Sequence, residues 1–296
     1  MNQLSAAERG LDYAPYDFGS APLTLRGPKK EPDGDYIAML GGSETYGKYV
    51  QYPFPDLVEA VTGVQVLNLG VMSAGIGAFT DDENVSELCN RSKATVVQVL
   101  GAQNMSNPLY SVHARRNDRV LGATPALKEL YQGLDLTEVH FTRHLMNKLR
   151  RLSEESFSEV REVLRDAWVS QMRKLLGQIE GEVMLLWISS RGPQEPEDLS
   201  DPTDPLFVDR RMLAALKDQF HTLVEIRLLD EPDEKKLFGK IYAASEADAA
   251  MQMPGPRAHG QIAQTIASAL QPILKSEAGI TTEVDDSALF RSQRMT

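Results

Sequence analysis

The sequence predicts an α/β protein with three layers, helices covering both faces of a mainly parallel five-stranded sheet. Three observations point there. Apolar runs rich in Val, Ile and Leu recur between residues 36 and 229, and such runs, lacking polar alternation, suit strands buried on both faces. Short amphipathic segments separate the runs, as crossover helices must in a parallel sheet. Glycines and capping residues punctuate the joins.

Taken in order, residues 1–35 carry Gly, Pro and aromatics without a sustained period, and "RGPKKEPDGD" is turn-rich; they predict an irregular arm lying on the domain. "DYIAMLGG" reads as the first buried strand, "FPDLVEAVTG" as a short helix closed by Gly63, and "VQVLNLG" as the second strand. "TDDENVSELCNRS" reads as a helix with an acidic first turn and Cys89 on its inner face, and "ATVVQVLGAQN" as the third strand. Residues 101–141 break the rhythm with a long polar stretch that predicts an ordered loop.

A helical insertion over about 126–180 follows, with Leu145, Leu149, Leu152, Val160, Leu164, Trp168, Leu175 and Ile179 at helical spacings. It forms either a hairpin or one long helix, and Ser156 with Glu159 reads as a capping box that restarts it. "GEVMLLWISS" is the fourth strand. Asp204-Pro205 reads as cap and first residue of the helix "PLFVDRRMLAALKDQF". "HTLVEIRLL" is the fifth strand, "AHGQIAQTIASALQPIL" the closing helix, and 276–296 a tail that is disordered or docks on a partner. The α/β domain thus spans 36–275.

With 296 residues, 42% of them apolar and 25% charged, the chain has the composition of a globular protein. A net charge of −11 argues against nucleic-acid or anionic-membrane surfaces, which require clustered Lys and Arg. No run approaches the ~20 apolar residues that span a bilayer. A lone cysteine cannot form an internal disulfide, which with the absence of a signal-like N-terminus predicts a cytoplasmic protein. No metal-ligand motif and no cofactor fingerprint is apparent. The helical insertion leaves a homodimer open.

Two chemistries overlap in "YIAMLGGSETYGKYV", residues 36–50. Gly42 to Lys48 fits the first seven positions of the phosphate loop G-x-x-x-x-G-K, whose backbone N–H groups hold anionic oxygens. The metal-binding Ser/Thr position is Tyr49, and the strands ending in "NLG", "LGAQN" and "WISS" offer no carboxylate, which removes Mg²⁺-dependent nucleotide hydrolysis. A sulfo- or phosphotransferase survives, with Lys48 on the bridging oxygen and Arg115, Arg116 or Arg119 on a second phosphate. His113 lies in the same basic stretch, "SVHARRNDR".

The same letters also fit a strand ending in an exposed nucleophilic serine, Ser43. "MLGGSETYG" resembles the first block of the SGNH/GDSL hydrolase superfamily, with Gly42 where Asp is commoner. "VQVLNLGVMSAG" is similar to the stretch ending at the second-block glycine, Gly70, and "VVQVLGAQN" to the third block, with Gly101 and Asn104 but Met105 in place of Asp. The match covers residues 35–110 and part of the last helix, and within the superfamily it resembles a divergent bacterial subgroup of unknown function. The resemblance implies a flavodoxin-like strand order, Ser43 as nucleophile, and the N–H groups of Ser43 and Gly70 plus the Asn104 amide as oxyanion donors. One such donor contributes about 3 kcal/mol to transition-state stabilisation.

The family's fourth block, D-x-x-H before the last helix, is degenerate. "AAMQMPGPRAHGQIA" puts Ala250 and Met253 at the acid and base positions when Pro254 is matched, leaving His259 as the structural second His. Matching His259 to the base puts Pro256 at the acid. Without a base, a serine hydroxyl is a weak nucleophile. Three readings follow. A serine esterase or acyltransferase on a small-molecule or saccharide ester would use His259, His113 or His144. A degenerate protein would bind such a ligand without turnover. A sulfo- or phosphotransferase would use the Gly42–Lys48 loop.

Overall fold

The computed structural model describes residues 10–18, 23–32, 34–80, 82–198 and 203–275. The tail at 276–296 lies outside the described residues. Five parallel strands form the central sheet: β3 (Tyr36–Gly41), β4 (Gln65–Gly70), β5 (Ala94–Gln98), β8 (Val183–Ser189) and β9 (Thr222–Arg227), in the order β4-β3-β5-β8-β9. Counting these five along the chain, the order is 2-1-3-4-5, the flavodoxin-like arrangement, whose switch point lies between β3 and β5.

Two helical layers cover the sheet because side chains alternate along each strand. Ile37 and Met39 of β3, with Val96, Met184 and Ile226, pack on α2 (Phe54–Thr62) and on α10 (Pro256–Lys275) through Phe54, Val58, Ile262, Ile266 and Leu270. Ala38 and Leu40 face the opposite way, towards α3 (Glu83–Asn90) and α6 (Glu154–Leu176). Trp168 of α6 is fully buried, and its indole N–H donates to the Leu100 carbonyl at 2.8 Å, pinning the stretch after β5. Cys89 lies on the inner face of α3, where burial pushes its thiol pKa up to about 12.

Caps set several helix ends. Asp82 accepts from the Asn84 and Val85 N–H groups at the start of α3, and Gly63, at φ +71°, ends α2 in a left-handed conformation. The four-residue α1 (Ser43–Tyr46) is closed by Gly47 at φ +77°.

Four expectations need correction. The 101–141 stretch is not a plain loop but contains the antiparallel hairpin β6 (Tyr110–His113) and β7 (Arg116–Ala123), then the short α4 (Pro125–Leu130). Its apolar residues Tyr110, Val112 and Leu127 are buried, though too sparse in sequence to show a period. The insertion is a hairpin, α5 (Thr142–Leu152) then α6, and the break falls at Ser153, whose Oγ accepts from the Ser156 N–H at 3.1 Å. Ser156 is the capped residue and not the cap.

The helix expected from Pro205 is only α7 (Arg210–Ala214), capped by Asp209. Phe207, at φ +65°, turns the chain before it. The N-terminal arm carries a two-residue ribbon, β1 (Tyr16–Asp17) against β2 (Thr24–Leu25), and Leu23 and Leu25 join the buried core. Two short helices, α8 (Asp233–Lys236) and α9 (Ala247–Met251), precede α10.

Candidate functional site

The crevice forms where β3 and β5 end together and their connections diverge to opposite faces. Gly41 pairs in register with Gly70, and the Val71 N–H donates to the Gly41 carbonyl, so both loops start level. Gln98, the last residue of β5 and 6% exposed, is the hub. Its Oε1 accepts from the Gly42 N–H at 3.0 Å and from Thr45 Oγ1 at 2.6 Å, while its Nε2 donates to Glu44 Oε2 at 3.0 Å. A Cβ on Gly41 would sit 2.5 Å from that Oε1, so glycine is required for this approach. Gln98 thereby holds α1, and Ser43 at its first position, over the switch point.

Ser43 Oγ accepts from the Ser73 N–H at 3.1 Å. Ser73 adopts φ +59°, a strained conformation for a non-glycine residue, which keeps its amide turned to the hydroxyl. The Gly70 N–H is committed to Asn68 Oδ1 at 2.9 Å, so the amide that meets the Ser43 hydroxyl is that of Ser73 and not that of Gly70. Gly70 is needed for another reason: a Cβ there would lie 2.3 Å from the Tyr46 N of α1.

Asn104 follows β5 as expected. Its Oδ1 accepts from Thr142 Oγ1 at 2.6 Å, and its NH₂ makes no hydrogen bond among the described residues. The Asn104 carbonyl is packed against Gly75, where a Cβ would come within 1.5 Å of it. Gly75 in turn donates to Asn117 Oδ1 at 2.7 Å. The β6–β7 hairpin through Asn117 and α5 through Thr142 therefore both touch this shelf.

Carboxylates line the other side. Burial raises the Glu44 carboxyl above its usual range, nearby Asp204 adds to the effect, and the Gln98 hydrogen bond and Arg143 partly offset it. Asp204 accepts from Gln103 Nε2 at 3.1 Å and from Arg143 Nη2 at 2.8 Å. This group of Glu44, Gln98, Asp204 and Arg143 escaped sequence reading. Gln98 is a polar residue in an apolar run, which was the one available signal; the others come from loops whose approach is tertiary.

His259 is corrected to a structural residue. It is fully buried among α2 and α10, stacked on Phe54, and its Nδ1 accepts from the Phe54 N–H at 3.0 Å. Burial, with Arg26 and Lys240 nearby, pushes its pKa down to about 3. The places of the missing acid and base, Ala250 and Met253, present carbonyls that accept from Lys240 Nζ. Among the described residues no imidazole is hydrogen-bonded to Ser43. His113 and His144 are exposed, and His113 Nδ1 accepts from the Arg115 N–H at 3.1 Å.

The phosphate-loop reading fails on geometry. The N–H groups of Tyr46, Gly47 and Lys48 donate to the carbonyls of Gly42, Ser43 and Glu44, so they close a helical turn instead of cradling an anion. Lys48 Nζ lies 3.8 Å from Glu246 Oε1 and 4.6 Å from the Tyr49 ring centre. Arg115 is exposed at the hairpin tip, Arg116 pairs loosely with Asp118, and Arg119 stacks 5.4 Å from the Phe141 ring. No group of three or more metal-capable side chains occurs among the described residues, and no helix there is long and apolar enough to cross a membrane.

Strand order, with Ser43 just past β3, Gly70 ending β4 and Asn104 in the stretch after β5, defines a flavodoxin-like α/β/α fold. The chain belongs to the family described as a domain of unknown function, DUF6473, whose model matches residues 1–274. No curated protein matches the sequence.

Among solved structures, the chain is similar to the lipase Lip_vut3 from a goat rumen metagenome, at 12% identity over 80% of this chain and 97% of that one, TM-score 0.41. A family two carbohydrate esterase from Clostridium thermocellum, in complex with cellohexaose, aligns at 10% identity over 87% and 69%, TM-score 0.42. A putative lipolytic protein of the G-D-S-L family from Desulfitobacterium hafniense aligns at 10% over 80% and 100%, TM-score 0.35.

Proposed function

We propose that the Ser43 crevice is a recognition site for an ester-bearing small molecule or saccharide, which it binds without triad-driven hydrolysis. The observation that carries this is the setting of Ser43: an amide donor at 3.1 Å, with His259 sealed away in the core. A ligand carbonyl oxygen would accept from the Asn104 NH₂, whose other end Thr142 already fixes. The Ser43 hydroxyl, its oxygen engaged by Ser73, has its hydrogen to donate to the ligand. Preset polar groups lower the ordering cost of binding.

Fluorophosphonate labelling together with calorimetric titration of acetylated saccharides and short-chain esters tests this reading. The expected result is saturable binding that Asn104→Ala weakens about tenfold, with no adduct on Ser43. Stoichiometric labelling of Ser43 with steady ester turnover would overturn it and favour a second reading, a serine esterase.

A further inference from the structure

A helix leaves the carbonyls at its C-terminal end without intrahelical donors, and at α1 these are met by Arg26 of the N-terminal arm. Arg26 is 8% exposed. Its Nη1 donates to the Gly47 carbonyl at 2.7 Å and to the Tyr46 carbonyl at 3.4 Å, and its Nη2 donates to the Gln51 carbonyl at 2.8 Å. A planar guanidinium can serve three carbonyls at once because its donors point in fixed, diverging directions. A cation at a helix C-terminus is also favoured by the backbone dipoles.

The arm is shaped for this grip. The Gly27 N–H donates to the Tyr13 carbonyl at 3.0 Å, and a Cβ at Gly27 would lie 2.1 Å from the Ala14 carbonyl oxygen, so residues 13–14 and 26–27 meet in close backbone contact. Tyr13 thereby lies beside Arg26, its ring centre 5.3 Å from the guanidinium carbon and 5.2 Å from the Tyr46 ring centre. Its hydroxyl accepts from the Tyr49 N–H at 2.8 Å, and Tyr49 holds a left-handed φ of +68°, uncommon for a bulky residue. The grip fixes how α1 sits on the end of β4. A Cβ at Gly70 would come 2.3 Å from the Tyr46 N, so the α1 backbone rests on that glycine. Ser43 begins the same helix, and its Oγ meets the N–H of Ser73, three residues beyond Gly70. Gln98 holds the start of α1 through the Gly42 N–H and the Thr45 hydroxyl, and Arg26 holds its end.

We infer that Arg26 is a positioning residue of the Ser43 crevice, and that the N-terminal arm belongs to the site through it. The hydrogen bonds of Arg26 all go to backbone carbonyls, so it acts on a ligand only through the placement of α1. Without the guanidinium the Tyr46, Gly47 and Gln51 carbonyls lose their shared donor, α1 loosens on Gly70, and the contact between Ser43 and Ser73 opens. The effect on ligand affinity rests on the ester-recognition reading above; the effect on the turn does not.

Hydrogen exchange read by mass spectrometry tests this on the full chain and on Arg26→Gln, Arg26→Lys and Lys30→Gln variants, followed by calorimetric titration with triacetin. Lys30 is the control, since it lies in the same arm but pairs with Glu59 of α2 at 2.8 Å. The amides to follow lie in 43–50, where the N–H groups of Tyr46, Gly47 and Lys48 close α1, and β8 is the internal reference. For Arg26→Gln the expected result is exchange in 43–50 about tenfold faster relative to β8, with triacetin bound about tenfold more weakly. Arg26→Lys, which keeps the charge without the fork, restores part of both, and Lys30→Gln leaves the ratio of exchange as in wild type. A residue that only stabilises the whole fold raises exchange in 43–50 and β8 by the same factor. That result, or an equal change in Lys30→Gln, overturns the positioning role. Equal triacetin affinity in wild type and Arg26→Gln shows that Arg26 does not act on the crevice. If exchange follows expectation while triacetin binds no form of the protein, the grip on the turn stands and ester recognition falls.

Discussion

Replacing Gln98 by leucine tests the physical basis of the site directly. Leucine keeps the volume but removes the acceptor for the Gly42 N–H at 3.0 Å and for Thr45 Oγ1 at 2.6 Å, and the donor to Glu44. Thr45 is fully buried and Gly42 is buried, so neither orphaned donor recovers a water partner. Each unsatisfied buried group costs about 1–3 kcal/mol. The extra apolar burial and rotation of the threonine hydroxyl offset part of that, which leaves a loss of about 3 kcal/mol. For a chain of this size that lowers Tm by roughly 6–12 °C. Urea titration by circular dichroism is the assay, with the midpoint falling and the slope m unchanged.

Gln98→Glu separates the two halves of the hub. It retains an acceptor for Gly42 and Thr45 but opposes Glu44 with a second carboxyl, and the pair then has to share a proton. A shared proton raises the folded-state affinity for protons above that of the unfolded chain. The variant is therefore near wild-type stability at acid pH and loses stability as pH rises past the ordinary carboxyl range. If Gln98→Leu costs less than about 0.5 kcal/mol, or Gln98→Glu shows no such pH dependence, Gln98 does not hold the serine turn as argued.

Three more outcomes are expected. Glu44, its carboxyl pKa raised by burial, contributes stability that is fully present below the unfolded value and lost as pH rises through the folded one; Glu44→Gln should match wild type near pH 4 and exceed it at pH 8 in urea midpoint. His259, lowered to about 3, acts oppositely, its contribution declining as pH falls from 6.5 towards 3. His259→Leu should flatten that acid limb while costing about 1–3 kcal/mol at pH 7 through the orphaned Phe54 N–H, measured by urea melts across pH. Gly75→Ala puts a methyl 1.5 Å from the Asn104 carbonyl; a loss on the order of 3 kcal/mol and abolished ester binding should appear in melting and calorimetry.

The sheet was legible because its strands are apolar on both faces. The first, second, fourth and fifth strands read from the chain coincide with β3, β4, β8 and β9 to within a few residues, and the third starts with β5 but was read past its end at Gln98. Regions without a period were misread for a matching reason. The β6–β7 hairpin alternates buried and exposed residues too irregularly, with register shifts around Val112, for a period of two to show. The boundary at Ser153 was missed because Ser156 and Glu159 form an equally good local cap signal. What decides between them is packing: Phe157 and Val160 are buried, so the helix starts early enough to bring both onto the core.

At the site, the chain order of motifs located Ser43 and Asn104 but could not say what each faces. Three of the atoms that now define the crevice arrive from elsewhere: the Ser73 amide from a strained turn, the Thr142 hydroxyl from the insertion, and the Asp204 carboxylate from the loop after β8. Their approach depends on glycines that permit backbone contact at 41, 70 and 75, and a glycine in sequence announces freedom without naming its neighbour. The fourth block shows the converse. Where relatives of the SGNH pattern carry acid and base, this chain offers the carbonyls of Ala250 and Met253 to Lys240, whose pKa burial lowers to about 8. A half-buried ammonium fixed on two carbonyls organises the segment before α10 by its own hydrogen bonds, so that segment has a structural reason to hold its shape with no imidazole in it. The segment that would carry a D-x-x-H is thus held in the fold by local hydrogen bonds, as the recognition reading proposed above would allow.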